Sequence, residues 1–540
     1  MKRLNLLALL LVGSLAGCGG GGGGSNSGGG GNPPPPAGIA PVVFKDLAGT
    51  TPADAALGQP LTVEWVLPAG ASITAVALDA TALSGTDPGR TSCAVSAGAL
   101  AATAISATIT IPNSCASKTV NEVRLKVTVD GNGGQRTSAT HSFLAPAAPA
   151  GFLPQRLNLP VLRITTDNGA PIVSKDLYIT GQMNLVSTVA GEAAINGGLQ
   201  IRGRGNSTWG MPKKPYRLKL TDKQSLLGMP SSKDWVLLAN YSDKTLLRNA
   251  LALELGTKLG LAWSPRSAYV EVYLNGRYDG VYQLMENIKV AKDRVNIEDL
   301  AAADVGADKI TGGYLLEVDF RQDGHTVFSA IDDLPFVFQS PEEPVPAQED
   351  YIMGYINGFE TALHSAGFAD PATGYAAYID VDSFVRWYLV NEVFRNVDSN
   401  MWTSCWMYKP RVGKLQMGPL WDFDLGAGNV NYEDAFKTDG WRVRTGPWFS
   451  RLFEDPAFAA RVKLLWNEVK ADELADMLQS IPVNAAKLQQ PQLNNFQRWP
   501  ILETYVWPNY KVPGSYAGEI DYLDTWLNAR IAWMDRQFNP

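Results

Sequence analysis

Two acidic segments late in the chain carry the residues best suited to chemistry. Asp398 lies in the polar run of residues 396–400, and Asp422 stands between Trp421 and Phe423. A carboxylate set among large apolar side chains is uncommon on a simple charged surface. Divalent cations prefer carboxylate oxygens, and phosphoryl transfer uses a carboxylate to orient the attacking hydroxyl. We therefore expect Asp422 to hold a metal ion and Asp398 to orient a hydroxyl group.

A glycine-containing segment further upstream could bind an anion. Gly203 and Gly205 follow a strand pattern, so their backbone amides could approach a phosphate group, and Ser207 and Thr208 add hydroxyl donors. The next strand pattern, residues 216–220, supplies Arg and Lys to neutralise phosphate charge. Because half of a G-x-G-x-x-G motif is common in hairpins, the segment by itself favours an ordinary turn.

A third polar segment runs from a buried strand pattern into a helical one. Ser242 or Asp243 would cap the helix, which explains one of these two residues. Capping does not explain Arg248 and Asn249, which follow one turn later.

The elements that must position these residues fall into regions that differ in composition and in apolar pattern. Residues 39–147 alternate apolar and polar side chains between turn residues, which predicts a small immunoglobulin-like β-sandwich acting as a spacer or as a binding module. After residue 157 strands come first and helices follow, which predicts an α+β domain with a strand-rich lobe and a helical lobe. The predicted parts are a leader at 1–17, a linker at 18–38, the sandwich at 39–147 and a domain at 157–540, with its motifs in 157–429 and its helical part in 430–540.

Periodicity locates several elements of the second region. Apolar residues recur at helical spacing in residues 244–259, in 383–394 and again in the last segment. Residues 405–408 and 414–417 predict two strands of a hairpin that turns at 410–413.

Histidine content and charge exclude several classes of function. The chain has three scattered histidines and neither an H-E-x-x-H nor a G-x-S-x-G motif, so we expect neither a zinc hydrolase nor a serine hydrolase. A formal net charge of -7 without a Lys/Arg block argues against nucleic acid as a partner. The 15 Trp and 19 Tyr leave polysaccharide binding as a weaker alternative.

The N-terminus has the features of an export signal. Lys2 and Arg3 precede a short apolar run that ends near Cys18, and this arrangement resembles the lipobox of bacterial lipoproteins, in which the cysteine receives a lipid. The run is too short for a permanent membrane span. Residues 19–36 are rich in Gly and Pro and would form a flexible leash. We expect an exported protein anchored through Cys18 at the outer membrane or cell surface, with a plain secretory signal as the alternative.

The remaining cysteines fit an exported protein. Cys93 and Cys115 lie close together in one segment, which predicts a disulfide that an oxidising compartment would permit. Two unpaired buried thiols are the alternative. Cys405 has no His near it in sequence and is expected to lie in the core rather than to act as a nucleophile.

Several motifs in this order resemble those of the CotH family of spore-coat-type kinases. The resemblance covers roughly residues 157–429. The segments that carry it are residues 202–209, 213–216, 235–240, 280–286, 391–392, 396–398 and 418–424.

This resemblance implies an atypical, bilobal protein-kinase-like fold that binds ATP with Mg²⁺ or Mn²⁺ and phosphorylates Ser or Thr of secreted or coat proteins. Asp398 resembles the catalytic-loop aspartate and Asp422 the metal-binding aspartate. Asp424 stands where other kinases have the glycine of Asp-Phe-Gly, and it would join Asp422 at the metal. The chain departs from common kinases at Thr403, where a metal-binding Asn is usual, and at Thr208, where the third loop glycine is usual.

The resemblance also implies a nucleotide-binding set, in which the lysine is ambiguous among Lys213, Lys214 and Lys219. Lys214 and Lys219 would face opposite sides of one strand, and Lys214 is favoured. Its acidic partner would be Glu254 on the first long helix, or else Glu286. The full predicted set is Arg202, Gly203, Arg204, Gly205, Asn206, Ser207, Lys214, Lys219, Glu254 and Glu286.

The sequence therefore predicts a membrane-tethered kinase whose substrates are envelope or surface proteins. A lipid anchor would separate the domain from the cytoplasmic ATP pool. This separation strengthens the alternative of an inactive adhesion or scaffolding lipoprotein, which would keep the fold and use it for binding. It does not overturn the motifs.

Overall fold

A computed structural model describes residues 159–189 and 192–540, together with strands and short segments between residues 43 and 144. The predicted leader, the linker, the lipidation site Cys18 and Cys115 lie outside the described residues. Cys93 is the last residue of a described strand. Because Cys115 is not described, the Cys93–Cys115 disulfide stays a prediction.

Among its described residues, the N-terminal region has seven strands in two antiparallel sheets. One sheet has the order β1-β2-β5 and the other the order β4-β3-β6-β7. Val63, Ile109, Val127 and Val129 are buried, as the alternating pattern requires. The immunoglobulin-like arrangement remains a prediction. The strands are β1 (Val43–Lys45), β2 (Pro60–Glu64), β3 (Ile73–Ser84), β4 (Arg90–Cys93), β5 (Ser106–Thr110), β6 (Val120–Gly131) and β7 (Arg136–Leu144).

The next seven strands close into a barrel of the order β10-β11-β12-β14-β13-β8-β9. All neighbouring strands pair antiparallel except β13 and β8, whose parallel pairing completes the closure. Alternate side chains such as Leu218, Trp235, Leu237 and Leu284 fill a core of their own. The strands are β8 (Val161–Thr166), β9 (Ile179–Val186), β10 (Ile195–Gly203), β11 (Tyr216–Gln224), β12 (Ser232–Leu238), β13 (Ser267–Leu274) and β14 (Arg277–Glu286).

A five-stranded antiparallel sheet follows, in the order β16-β17-β15-β18-β19. The predicted hairpin is confirmed, because β18 pairs with β19 through Met407 and Met417. The strands are β15 (Tyr314–Val318), β16 (Thr326–Phe328), β17 (Pro335–Ser340), β18 (Cys405–Lys409) and β19 (Gln416–Met417). Cys405 is buried with a free thiol whose pKa burial raises, which confirms its placement in the core.

Helices dominate the later part of the chain, so the predicted α+β class is confirmed. The helical patterns at residues 244–259, 383–394 and in the last segment correspond to α1, α3 and α8. Within the part of the chain that the structure describes, no helix combines the length and the apolar character needed to cross a membrane. The helices are α1 (Arg248–Lys258), α2 (Pro346–His364), α3 (Val381–Val393), α4 (Pro447–Leu452), α5 (Pro456–Val469), α6 (Glu473–Lys487), α7 (Gln489–Arg498) and α8 (Tyr516–Phe538).

Candidate active site

A polar cleft of about 1270 Å³ brings most of the predicted site residues together. Cations of the cleft come mainly from the barrel and the loop after β14. Carboxylates come from these parts too, and also from β15 and the residues after it, from the loop after α3 and from the loop after β19. Among the cleft residues are the cations Lys175, Arg202, Arg204, Arg217, Lys219 and Lys233 and the carboxylates Glu317, Asp319, Asp398, Asp422 and Asp424.

Two loops place the three predicted acidic residues at this cleft. The first follows α3 and contains Asp398, and the second follows β19 and contains Asp422 and Asp424. The side-chain amide of Asn396 donates to the backbone carbonyl of Asp422 at 3.2 Å, which ties the loops together. Asp422 has a φ of 61°, a left-handed conformation that is uncommon for residues other than glycine.

Asp398 and Asp424 are close to Asp422 and are poorly solvated. Burial, and secondly the charge of Asp422, raise the pKa of Asp398 to about 7. Burial also raises the pKa of Asp424 well above its ordinary value, helped by the charge of Asp422 and by a hydrogen bond between these two carboxyl groups. Groups that resist ionisation in this way gain most from a nearby cation.

Helix α1 holds the second loop in place. The N–H of Phe423 donates to Asn249 Oδ1 at 2.7 Å. Arg248 donates through Nε to the carbonyl of Gly426 at 3.1 Å and through Nη2 to that of Ala427 at 3.3 Å. Asp243 accepts from the N–H of Arg248 at 3.0 Å and pairs with its Nη1 at 2.6 Å. The residues that capping left unexplained therefore position the loop of Asp422.

The glycine segment forms a tight turn beside the cleft. Gly205 has a φ of +81°, and a Cβ added to Gly203 would lie 2.3 Å from the Trp209 ring, so both positions require glycine. A short 3₁₀ turn, Ser207–Gly210, follows. Asn206 is exposed and its Oδ1 accepts from Lys175 Nζ at 3.3 Å. Side-chain packing thus explains both glycines without a ligand, although the segment lines the cleft.

Three arginines supply the positive wall. Arg202 and Arg217 are direct partners across β10 and β11, and the buried Nε of each lacks a hydrogen-bond partner among the described residues. Arg204 lies over the Trp421 ring at 5.2 Å, next to Asp422. Burial lowers the pKa of Arg204, while the Asp422 carboxylate opposes this shift. The part of the cleft that these cations line would suit phosphate oxygens.

The structure separates the three candidate lysines. Lys213 is buried, donates to the carbonyls of Ala239 at 2.9 Å and of Val281, and does not line the cleft. Lys214, the favoured candidate, donates to the carbonyl of Trp209 at 2.6 Å and is also absent from the cleft lining. Of the three lysines, Lys219 lines the cleft. It is two residues from Arg217 on the same strand, so the two side chains lie on the same face.

Neither predicted acidic partner contacts these lysines. Glu254 is on the exposed face of α1, with 52% of its side chain accessible, and pairs with Lys258 at 3.3 Å. The structure therefore does not bring Glu254 to the cleft. Glu286 is buried and accepts from Arg266 Nε and Nη2, each at 2.8 Å. Arginine rather than lysine holds this carboxylate because its two donors match both oxygens.

Sequence reasoning missed Glu317 and Asp319 at the end of β15. Burial, with the charges of Asp319 and Asp422, raises the pKa of Glu317 well above its ordinary value. Asp319 Oδ1 accepts from Thr403 Oγ1 at 2.8 Å, and Arg321 Nη1 donates to the same hydroxyl at 2.9 Å. The sequence did contain a signal for Glu317, because it is a charged residue inside the apolar run of residues 314–318.

The donor set suits a hard divalent cation that also binds ligand oxygens. Among the described residues, no three His, Cys, Asp or Glu side chains form a group that could hold a metal by themselves. Mg²⁺ is commonly bound by one or two carboxylates together with phosphate oxygens and water. Asp422 and the hydrogen-bonded Asp424 fit that mode, and a cation there would relieve their crowding.

Comparisons with known proteins identify the family of this chain. The chain is similar to the inner spore coat protein H of Bacillus subtilis (strain 168), with 25% identity over 276 residues, which is 49% of this chain and 69% of that protein. A family model described as CotH kinase protein matches residues 201–534, more than half of the chain and all of the loops that carry the carboxylates. This chain belongs to the CotH kinase protein family.

Proposed function

We propose that this protein is a kinase that transfers the γ-phosphate of ATP to Ser or Thr hydroxyls of envelope or surface proteins, with Mg²⁺ or Mn²⁺ as its metal. The proposal rests on one observation. A single cleft contains both a wall of arginines and three crowded carboxyl groups. A triphosphate needs cations along its length and a metal at its transferred end, and this arrangement offers both. Membership of the CotH kinase family supports the same reaction.

In the proposed mechanism each group has one task. Arg202, Arg217 and Lys219 bind phosphate oxygens, and Arg204 neutralises charge near the transferred group. Asp422 and Asp424 hold the metal, which supplies charge neutralisation for the transferred phosphoryl group. Asp398 accepts a hydrogen bond from the acceptor hydroxyl and orients it for attack. The raised pKa of Asp398 suits a group that receives a proton near neutral pH.

Location remains part of the proposal. A lipid on Cys18 and the Gly/Pro-rich leash of residues 19–36 would give the domain reach over a membrane surface. Similarity to a spore coat protein supports an exported or surface protein. Substrates would then be envelope or surface proteins, and the ATP source would have to be exported nucleotide or a reaction before export.

Labelled ATP tests the proposed reaction. The full chain is incubated with γ-labelled ATP, Mg²⁺ or Mn²⁺ and a Ser/Thr-rich acceptor protein, beside Asp422→Ala and the control Glu254→Ala. We expect Asp422→Ala to lose phosphotransfer by at least ~100-fold because it loses a metal ligand, whereas Glu254→Ala, an exposed position outside the cleft, should match wild type. Equal labelling by wild type and Asp422→Ala would end the proposal.

The alternative is an adhesion or scaffolding protein that keeps the fold without the chemistry. It is favoured by the two N-terminal sheets, which precede the family match at residue 201. The two functions differ in nucleotide binding. A kinase should gain thermal stability with ATP and Mg²⁺, about 2.7 kcal/mol at a ligand concentration 100 times its Kd, and a scaffold should gain none.

A further inference from the structure

A pair of aromatic side chains lies beside the loop of Asp398, and the proposed mechanism does not use it. Phe320 follows β15, and Trp402 lies in the loop between α3 and β18. Their rings stack with centroids 4.6 Å apart and an angle of 9° between the ring planes. Trp402 is nevertheless 53% exposed. Phe320 therefore covers one face of the indole and leaves the other face open to solvent.

Backbone hydrogen bonds fix this pair next to the residue that would orient the acceptor hydroxyl. The N–H of Trp402 donates to the carbonyl of Asp398 at 3.2 Å, and the N–H of Phe320 donates to the carbonyl of Trp402 at 3.1 Å. Asp398, Asp319 and Ser404 line the cleft, whereas the two aromatic side chains do not. The pair therefore lies at the edge of the cleft, within reach of a chain segment that brings a hydroxyl to Asp398.

Packing of the core does not explain the exposed indole. Val397 and Met401 in the same loop are 2% and 1% exposed, so smaller apolar side chains supply the contacts of this loop with the interior. Met401 and Ser404, on either side of Trp402, each have a φ of 56°, a left-handed conformation that is uncommon for residues other than glycine. Such conformations are costly and are concentrated at functional sites. The loop thus keeps an uncommon backbone around an indole that the core does not need.

The charges beside the pair favour a neutral occupant. Arg321 directly follows Phe320, is exposed, and donates through Nη1 to Thr403 Oγ1 at 2.9 Å. Asp319 directly precedes Phe320 and accepts from the same hydroxyl at 2.8 Å. Because opposite charges flank the rings, neither a cationic nor an anionic side chain gains a clear advantage there. A neutral aromatic ring gains the stacking contact in either case.

We infer that Phe320 and Trp402 form a docking surface for the acceptor protein, and that this surface binds an aromatic side chain close to the phosphorylated Ser or Thr. The inference rests on the proposed function. The side chain stacks on the open face of the indole, as Phe320 stacks on the other face. An extended segment rises about 3.3 Å per residue, so the aromatic residue should lie within about three residues of the acceptor hydroxyl.

The test uses fluorescently labelled Ser peptides that carry Phe at one position within three residues of the Ser, each beside the same peptide with Ala there. Their binding to the full chain is measured with ATP and Mg²⁺ for wild type, Trp402→Ala, Trp402→Phe and the control Trp507→Ala. Trp507 is 54% exposed and does not line the cleft. For wild type we expect the best Phe peptide to bind about fivefold or more tightly than its Ala partner.

Trp402→Ala should abolish this preference, because it removes the ring on which the Phe would stack. Trp402→Phe should keep part of the preference, since a ring remains. Trp507→Ala should match wild type. Stabilisation of the four proteins by ATP with Mg²⁺ should be the same, and this measurement also checks that each is folded.

The inference is overturned if wild type shows no preference at any position, if Trp402→Ala keeps the preference, or if Trp507→Ala loses it to the same extent. Phosphotransfer to the same peptides separates this inference from the proposed function. If binding depends on Trp402 and no peptide is phosphorylated, the proposed function falls while the binding surface stands. If Phe and Ala peptides bind equally and are phosphorylated at equal rates, only the docking surface falls.

Discussion

Asn249 shows how one buried amide positions the loop on which the proposed chemistry depends. The residue is 2% exposed, and its carbonyl oxygen accepts the N–H of Phe423, directly after Asp422. Its side-chain N–H₂ donates to Asn240 Oδ1 at 3.4 Å, which connects α1 to the residues after β12. The left-handed backbone of Asp422 is thus held by a neighbour that would not contact substrate.

Asn249→Ala should impair metal use more than it impairs folding. The substitution leaves the Phe423 N–H unsatisfied, which costs about 1–3 kcal/mol. If the loop relaxes, the Mg²⁺ concentration for half-maximal phosphotransfer should rise about tenfold or more, since about 1.4 kcal/mol corresponds to a factor of ten. Titrating Mg²⁺ in the labelled ATP assay measures this shift.

Thr257→Ala is the matched control on the same helix. Its hydroxyl donates to the carbonyl of Leu253 at 3.3 Å, at an exposed position away from the loop. The Mg²⁺ requirement of Thr257→Ala should equal that of wild type. A Thr257→Ala shift as large as that of Asn249→Ala would show that α1 acts only through general stability.

At the residue scale the sequence located the carboxylates of the two late loops better than it distinguished among the three candidate lysines. Asp398 and Asp422 stand in runs whose order and apolar surroundings are visible without coordinates. The lysines could not be resolved in the same way. Lys213 and Lys214 precede β11 where no alternation applies, and their acceptors come from Val281 and Trp209, which only the folded chain brings near.

At the scale of elements, α8 is fixed to α3 by a buried ion pair in the last turn of α3, just before the loop that contains Asp398. Arg530 Nη2 pairs with Glu392 Oε1 at 2.7 Å, and both side chains are inaccessible to solvent. Arg530 also donates through Nη1 to the carbonyl of Gly440 at 2.6 Å. Glu392 in turn accepts the backbone N–H of Arg442 at 2.8 Å and of Arg444 at 3.0 Å. One carboxylate therefore organises the end of α3 and the segment before α4.

Arg530→Met should destabilise the protein by about 3–5 kcal/mol, because it leaves the Glu392 charge buried without its partner. Urea unfolding measures the loss. Arg536→Met on the same helix is the control, since Arg536 is exposed and its loss should change stability by less than about 0.5 kcal/mol. Equal stability of Arg530→Met and wild type would contradict a structural role for the pair.

Helices and the hairpin could be predicted because their periods are local. The apolar positions of α8, among them Leu523, Leu527, Met534 and Phe538, recur every three or four residues and are buried. Closure of the barrel could not be predicted in this way. It depends on the parallel pairing of Val161 with Glu271, and no local pattern specifies a pairing across such a distance.

At the scale of the whole molecule, the C-terminal helices and the barrel are joined through polar contacts remote from the cleft. Lys213 donates to Asn495 Oδ1 on α7 at 2.9 Å, and the N–H of Val281 on β14 donates to the same oxygen at 3.1 Å. Burial lowers the pKa of Lys213 to about 7, although Asp279 opposes the shift. This lysine therefore connects two parts of the fold and is not available to a nucleotide.

The central claim is that one cleft binds the nucleotide and also performs the transfer, with Asp398 acting only in the transfer step. The most direct measurement compares wild type and Asp398→Asn for two readouts, thermal stabilisation by ATP with Mg²⁺ and phosphotransfer from labelled ATP. We predict that Asp398→Asn keeps the stabilisation and loses phosphotransfer by about 10²–10⁴-fold, as expected for removal of a group that accepts the hydroxyl proton. Phosphotransfer by Asp398→Asn at the wild-type rate would contradict the account.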